Sequence, residues 1–183
     1  MLRKIARWVM ILVGGTALVG VVLIGANGFF FWYSNAYKTT IQIVTVPSIN
    51  RQFILLTDLA GFDDRSWYVY ESALGAPLTE EQRKGHNDEG ALFWNYSEAG
   101  EHKDNPRLRM EGERFLVFSR GGLDHSLYDL RAKQVLINEI SPWGAAVGKP
   151  DLNLTHEAEM AVVETWVREN LHERIQSHIK NPT

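Results

Sequence analysis

Residues Trp8 to Tyr33 form an apolar run with no charged side chain before Lys38, and no other stretch restricts the chain so strongly. A hydrocarbon core about 30 Å thick is crossed by roughly 20 helical residues rising about 1.5 Å each. The run is long enough to cross. Lipid offers no partners to backbone N–H and C=O groups, so a lone span has to be helical and satisfy them internally. Gly14, Gly15, Gly20, Gly25 and Gly28 would weaken a helix in water but are common in membrane helices.

Arg3, Lys4 and Arg7 precede the run and only Lys38 closely follows it. The positive-inside rule then predicts a cytoplasmic tail over 1–7, a transmembrane helix over 8–33, a linker over 34–38 and an outer domain over 39–183. A cleaved signal peptide is the competing reading, with small residues near Ile24-Gly25-Ala26. The run exceeds the usual apolar region of about 7–15 residues, and it continues through Phe29-Phe30-Phe31-Trp32-Tyr33. Such an aromatic cluster matches the outer interfacial belt, so the anchor is expected to stay uncleaved. Thr16 and Gly20 form a small-xxx-small pair; in a glycine-rich span the lipid-facing reading is preferred.

The formal charge of −3 hides an asymmetry. Residues 1–38 carry +4, which leaves 15 of the 19 basic residues against all 22 acidic ones in 39–183, a net of −7. An acidic domain argues against nucleic acid as a partner, because phosphate binding needs clustered Lys or Arg. There is no cysteine, which excludes disulfides, thiolate metal sites, a cysteine nucleophile and lipidation at cysteine. Eukaryotic ectodomains of this size usually rely on disulfides, so the expected location is a bacterial inner membrane, with the domain in the periplasm. The triplets Asn95-Tyr96-Ser97 and Asn153-Leu154-Thr155 are read as chance sequons.

From Thr39 the chain turns to short runs rich in β-branched and aromatic residues between polar turns. These predict strands over 40–46, 51–57, 66–71, 91–96, 107–111, 114–119, 126–130 and 134–139. Closely spaced strands with short links imply an antiparallel meander, since parallel neighbours need long crossovers. Phe53-Ile54-Leu55-Leu56, Trp67-Tyr68-Val69-Tyr70, Leu92-Phe93-Trp94 and Phe115-Leu116-Val117-Phe118 are apolar on both faces, so both faces must be covered. One cover is legible: residues 155–180 carry Met160, Val163, Val167, Leu171 and Ile175 along one helical stripe. Thr155 suits the cap and Lys180 the far end. A helix of about 37 Å outruns a strand of about 20 Å, so part of it is expected to project and offer itself to a partner. The predicted fold is α+β, mainly β: an N-terminal transmembrane helix, an antiparallel β-meander forming a sandwich or small barrel, and one long C-terminal helix packed on it.

Two polar connections stand out. Ser72 to Gly90 holds Thr79 to Lys84, with a helical turn expected at a Thr79 cap, and His86 to Glu89. Ser97 to Pro106 adds Glu98, Glu101, His102 and Asp104. Long loops on a rigid sheet often carry function. Their acids and histidines have no recognised zinc or calcium spacing, however, so no metal site is assigned. Asp58, Asp63, Asp64 and Arg65 are read as a mutually ordered loop. Asp124-His125-Ser126 places three triad residue types side by side, but triads are assembled in space, so a turn is preferred. Ser119-Arg120-Gly121-Gly122 is the better candidate: consecutive glycines let N–H groups converge on an anion with Arg120 as the charge partner. A Gly-Gly hairpin is the competing explanation. Glu169, His172 and Glu173 are read as the wet face of the C-terminal helix, and Trp143 as a plug for the open end of the core.

No constellation calls for catalysis or a cofactor. The sequence therefore predicts a single-pass membrane protein displaying a non-catalytic periplasmic domain. Its expected role is as an accessory or interaction component of an envelope assembly, with another envelope protein as partner. Arg120, Gly121 and Gly122 are the expected anion contacts, and Trp166, Leu171, Ile175 and Ile179 the expected interaction face. The alternatives are a module binding an apolar ligand inside the sheet and, third, a hydrolase using Asp124 to Ser126 or the acidic loops.

Overall fold

The computed structural model describes residues 22, 25, 28, 37–59, 65–97, 105–140, 145–146 and 155–182. The expected span over 8–33 lies outside them except for Val22, Gly25 and Gly28, which are helical. Among the described residues no helix is long and apolar enough to cross a membrane. The chain divides into two units, 1–36 and 37–183, so Tyr37 and Lys38 belong to the second rather than to a linker.

The second unit contains two antiparallel four-stranded sheets. The first runs β1 (Thr39–Val46), β2 (Arg51–Leu59), β3 (Arg65–Ala73), β4 (Phe93–Ser97), and the second β5 (Arg107–Glu111), β6 (Phe115–Arg120), β7 (Leu123–Asp129), β8 (Gln134–Asn138). Each sheet is a meander in sequence order, as short links require. Between β5 and β6 the chain reverses around Gly112 at φ 60°, a left-handed conformation that favours glycine. The link between β7 and β8 is held by Asp129, whose Oδ1 accepts the N–H groups of Arg131 and Ala132 at 2.9 and 3.1 Å. Strand β7 begins at Leu123, which corrects the expectation of a turn at Asp124 to Ser126. Gly121 and Gly122 make the reversal, and of the three residues after Leu123 Asp124 and Ser126 pair in the ladder, with His125 between them in the same strand.

One face of each sheet meets in a shared core: Phe53, Leu55, Trp67, Val69 and Phe93 from the first, with Leu108, Leu116, Phe118 and Tyr128 from the second. The opposite faces are also buried, which accounts for strands without polar alternation. On the second sheet Phe115, Val117, Leu127 and Ile137 pack against Val163, Val167, Leu171 and Ile175 of the C-terminal helix. On the first, Ile54, Leu56, Tyr68 and Tyr70 are covered by Leu78 and Ala91. The long polar connection after β3 is therefore a structural lid on the first sheet.

No backbone ladder joins the two sheets among the described residues, and side-chain amides take its place at both edges. At the β1 and β5 edges, Gln42 donates to Leu108 O at 2.7 Å and accepts from Leu108 N–H at 2.8 Å. At the β4 and β8 edges, Asn95 donates to Glu139 O at 2.6 Å. Satisfying edge groups this way leaves them less open to pairing with another chain.

The C-terminal helix is built from α2 (His156–Val167), a π-helical turn (Arg168–His172) and α3 (Glu173–Lys180). Thr155 caps it, its Oγ1 accepting the Ala158 N–H at 3.3 Å. Its buried residues Val163, Val167, Leu171 and Ile175 recur every four positions. At about 100° per residue such a row drifts roughly 40° per step around an α-helix, so a continuous one would carry it off the sheet. The wider π turn absorbs part of that drift and keeps Leu171 and Ile175 on the sheet.

The lid after β3 is tied down in several places. Helix α1 (Glu80–Arg83) is closed by a reciprocal cap: Gln82 N–H donates to Thr79 Oγ1 at 3.2 Å and Thr79 N–H to Gln82 Oε1 at 3.0 Å. Lys38 N–H donates to Arg83 O at 2.8 Å. The Lys38 ammonium donates to Tyr70 Oη at 2.8 Å, to Gln82 O at 3.1 Å and to Asn87 O, and it lies 3.9 Å from the centre of the Tyr68 ring. Asp58 Oδ2 accepts from Tyr68 Oη at 2.8 Å and from His86 N–H at 2.7 Å.

Burial pulls the Lys38 ammonium from 10.5 down to about 8, against the pull of Asp58 and Asp88. Burial likewise raises Tyr68 and Tyr70 well above the ordinary phenol, with the nearby carboxylates adding to the shift. The unfolded chain therefore holds the Lys38 proton more tightly between about pH 8 and 10.5, and stability contributed by this group rises with pH across that window. Above about pH 10 the unfolded tyrosines release protons that the folded ones keep, and stability falls. Urea unfolding of wild type should show the rise followed by the fall. Lys38→Met should abolish the rise and keep the fall; an unchanged rise would refute the assignment to Lys38.

Candidate functional site

The polar groups of the second sheet concentrate at the β6–β7 hairpin. Gly121 and Gly122 connect the strands with φ of 57° and 81°, the two positive values of a type I′ turn. Arg120, the last residue of β6, is buried: its guanidinium lies 5.1 Å from the centre of the Trp67 ring, with Nη1 3.5 Å from Asn95 Oδ1. Its charge is thus directed at the first sheet. The two glycines are exposed at the tip, where they line a cleft of about 630 Å³ with Arg107, Arg109 and Ser119. A second cleft of about 400 Å³ lies between the turn and α2.

Asp124, 2% exposed, is the centre of the hairpin. Arg109 grips it with two hydrogen bonds, Nη1 to Oδ1 at 2.7 Å and Nη2 to Oδ2 at 3.1 Å. Ser119 Oγ donates to Oδ1 at 2.9 Å and Gln176 Nε2 to Oδ2 at 2.7 Å. His172 Nδ1 accepts the Asp124 N–H at 3.2 Å. Burial pushes this carboxyl up, but the hydrogen bonds from Arg109, Gln176 and Ser119, together with the Arg109 charge, outweigh it and hold it below the usual range. A carboxylate saturated with donors is a poor base, and its role here is to join β5, β6 and β7 to the C-terminal helix.

Around it the triad residue types do not form a relay. Ser119 and His172 both contact Asp124, so the carboxylate lies between them and the hydroxyl has no imidazole to take its proton. Asp124, His125 and Ser126 diverge. Ser126 Oγ donates to Asn138 Oδ1 at 2.7 Å. His125 is the extra residue where the register shifts from Phe118↔Ser126 to Ser119↔Asp124, a bulge that re-aims a side chain. It packs edge-on to Phe118, with ring centres 6.3 Å apart. Burial and the Arg120 charge pull its pKa down to about 3.

The residues expected to form an interaction face are taken up by the chain's own core. Leu171 and Ile175 are 4% and 0% exposed, and Trp166 and Ile179 are partly buried against the same cluster. His102, Asp104, Asp63, Asp64 and Trp143 lie outside the described residues. No group of three or more histidine and carboxylate side chains suited to a metal occurs among the described residues.

Arg109 and Gln176 were not legible as site residues, because their shared partner Asp124 lies 15 and 52 positions away, and Ser119, legible only as part of the glycine turn, bonds Asp124 instead. The one local signal was His172 and Gln176, four apart on a helix and therefore on one face. In comparisons with known proteins, no family model, no curated protein and no solved structure matches the chain.

Proposed function

We propose that this chain is a single-pass protein of a bacterial inner membrane, with its amino terminus in the cytoplasm and residues 39–183 in the periplasm. It serves there as a non-catalytic interaction component of an envelope assembly. The observation that carries the non-catalytic reading is Asp124: the richest polar constellation among the described residues is consumed in holding four elements together. Only residues 34–36 separate the apolar run from Tyr37, which bridges to Lys84. So short a tether keeps the search for a partner close to the membrane surface.

Ile41 and Ile43 are 42% and 53% exposed on β1, and Ile43 pairs with the buried Ile54. They are the residues we assign to the partner. The rival reading, an apolar ligand inside the sheet, loses support because Phe53, Leu55, Trp67, Leu116 and Phe118 fill that space. Recovery of bound proteins with the full chain after mild detergent extraction tests the proposal. A reproducible envelope partner, lost on Ile43→Asp, supports it; a monodisperse chain without a partner contradicts it.

A further inference from the structure

The cleft of about 630 Å³ at the tip of the β6–β7 hairpin is of the size that holds a small ligand. Its one apolar lining residue, Leu108, is 2% exposed, and no carboxylate lines it among the described residues. Register brings a positive charge to the turn: β5 pairs Arg107 with Ser119, the residue before Arg120, and Arg107 lines the cleft together with Gly121 and Gly122. Arg109 in the same wall is committed, its guanidinium bonding Glu111, Asp124 and Ser119. The Arg107 side chain is exposed and enters no hydrogen bond or ion pair among the described residues, and the same holds for the Asn105 amide. The two glycine N–H groups are free as well. A two-residue turn between the paired Arg120 and Leu123 leaves them outside the ladder, and neither bonds a carbonyl among the described residues. A Cβ added at Gly122 would meet no atom within 4 Å, so the turn is open to approach.

We propose that this cleft binds a small polar phosphate monoester, with the Arg107 guanidinium as its charge partner and the Gly121 and Gly122 N–H groups as further donors. A guanidinium fork matches two phosphate oxygens at once, and the third terminal oxygen is left for the turn. Successive N–H groups in a turn form the concavity that anions occupy. A carboxylate has two oxygens only, so one that fills the fork leaves the glycine N–H groups to water. The polar walls set the body of the ligand: Asn105 offers both a donor and an acceptor to hydroxyl groups, and an apolar chain would find no surface to cover. Arg120, the charge expected beside these glycines, is turned to Trp67, and Arg107 takes that place from the neighbouring strand. The site rests on this cleft alone and does not depend on the assignment of Ile41 and Ile43 to a partner.

Amide NMR of the detergent-solubilised full chain, titrated with sn-glycerol 3-phosphate at constant ionic strength, tests the assignment, with acetate and glycerol as the carboxylate and uncharged controls. In wild type the Gly121 and Gly122 amides should shift along one saturation curve, a readout that does not depend on any variant folding. Acetate should bind about tenfold more weakly, and glycerol should leave both amides fixed. Arg107→Gln should weaken binding about tenfold while keeping the wild-type melting temperature, because its side chain has no partner in the chain to lose. Arg131→Gln, which removes an exposed arginine from the link between β7 and β8, should leave binding unchanged. The proposal is overturned if wild type shows no saturable binding, if the two glycine amides stay fixed, if acetate binds as tightly as the ester, if Arg107→Gln binds as tightly as wild type, or if Arg131→Gln weakens binding as much as Arg107→Gln.

Discussion

Replacing residues 76–90 with a short glycine-serine connector should unfold the domain rather than trim a loop. The replaced segment carries Leu78, which covers Ile54, Leu56, Tyr68 and Tyr70, all between 0% and 5% exposed. Uncovering four such side chains forfeits about 1.5–3 kcal/mol each as an upper estimate. The sum rivals the whole stability of an ordinary domain, about 5–15 kcal/mol. The same cut removes Gln82 O and Asn87 O from Lys38, and the His86 N–H from Asp58, leaving Lys38 with only the Tyr70 hydroxyl and Asp58 with only the Tyr68 hydroxyl among these hydrogen bonds. Thermal melting and amide dispersion should show no cooperative transition; a cooperative melt within a few degrees of the parent would show the segment to be dispensable.

Asp124→Ala should cost about 3–5 kcal/mol, the range for removing one partner of a buried ion pair. Arg109 is 35% exposed at its side chain and recovers some hydration, which favours the lower end. The loss also frees Gln176, so the damage should extend to α3, read as faster amide exchange around Ile175. In a unit of this size the melting temperature should fall by about 10 °C. Asp124→Asn keeps the shape without the charge and should fall between the two. Asp124 and Asp129 are both held below the ordinary carboxyl range in the folded chain. Their stabilisation is therefore complete above the unfolded value and is lost as pH falls through the folded one. Wild type should weaken below about pH 4, and Asp124→Asn should blunt that loss. A change within about 0.5 kcal/mol for Asp124→Ala would mean that the network is ornamental.

The strands were legible because β-branched and aromatic runs ended at turn residues; β5 occupies the expected 107–111. Sequence also required a cover on both faces of the sheets, since runs such as Phe53 to Leu56 have no polar alternation. It located the helix by its apolar stripe. It did not locate the second cover, because Ser72 to Gly90 reads as a polar loop whose packing rests on Leu78 and on backbone carbonyls that have no sequence signature. The start of β7 was missed for a related reason. Asp124, His125 and Ser126 have turn propensity, and tertiary partners that are distant in sequence override it: Arg109 for Asp124 and Asn138 for Ser126. The π turn followed from the strict spacing of four between Val163 and Ile175, a regularity read as ordinary helical periodicity. Arg120 illustrates the limit at the candidate site: the turn beside it was legible, but the direction of the guanidinium was set by Trp67 and Asn95, far away in the chain.

The central claim is that the apolar amino-terminal run holds the chain in the membrane and that the domain faces the periplasm. Paired reporters measure this most directly. Alkaline phosphatase fused after Thr183 should be active and a fluorescent protein at the same position dark, with the converse for fusions before Met1. Fluorescence from the Thr183 fusion in the cytosol, or a mature protein beginning after Ala26, would contradict the account.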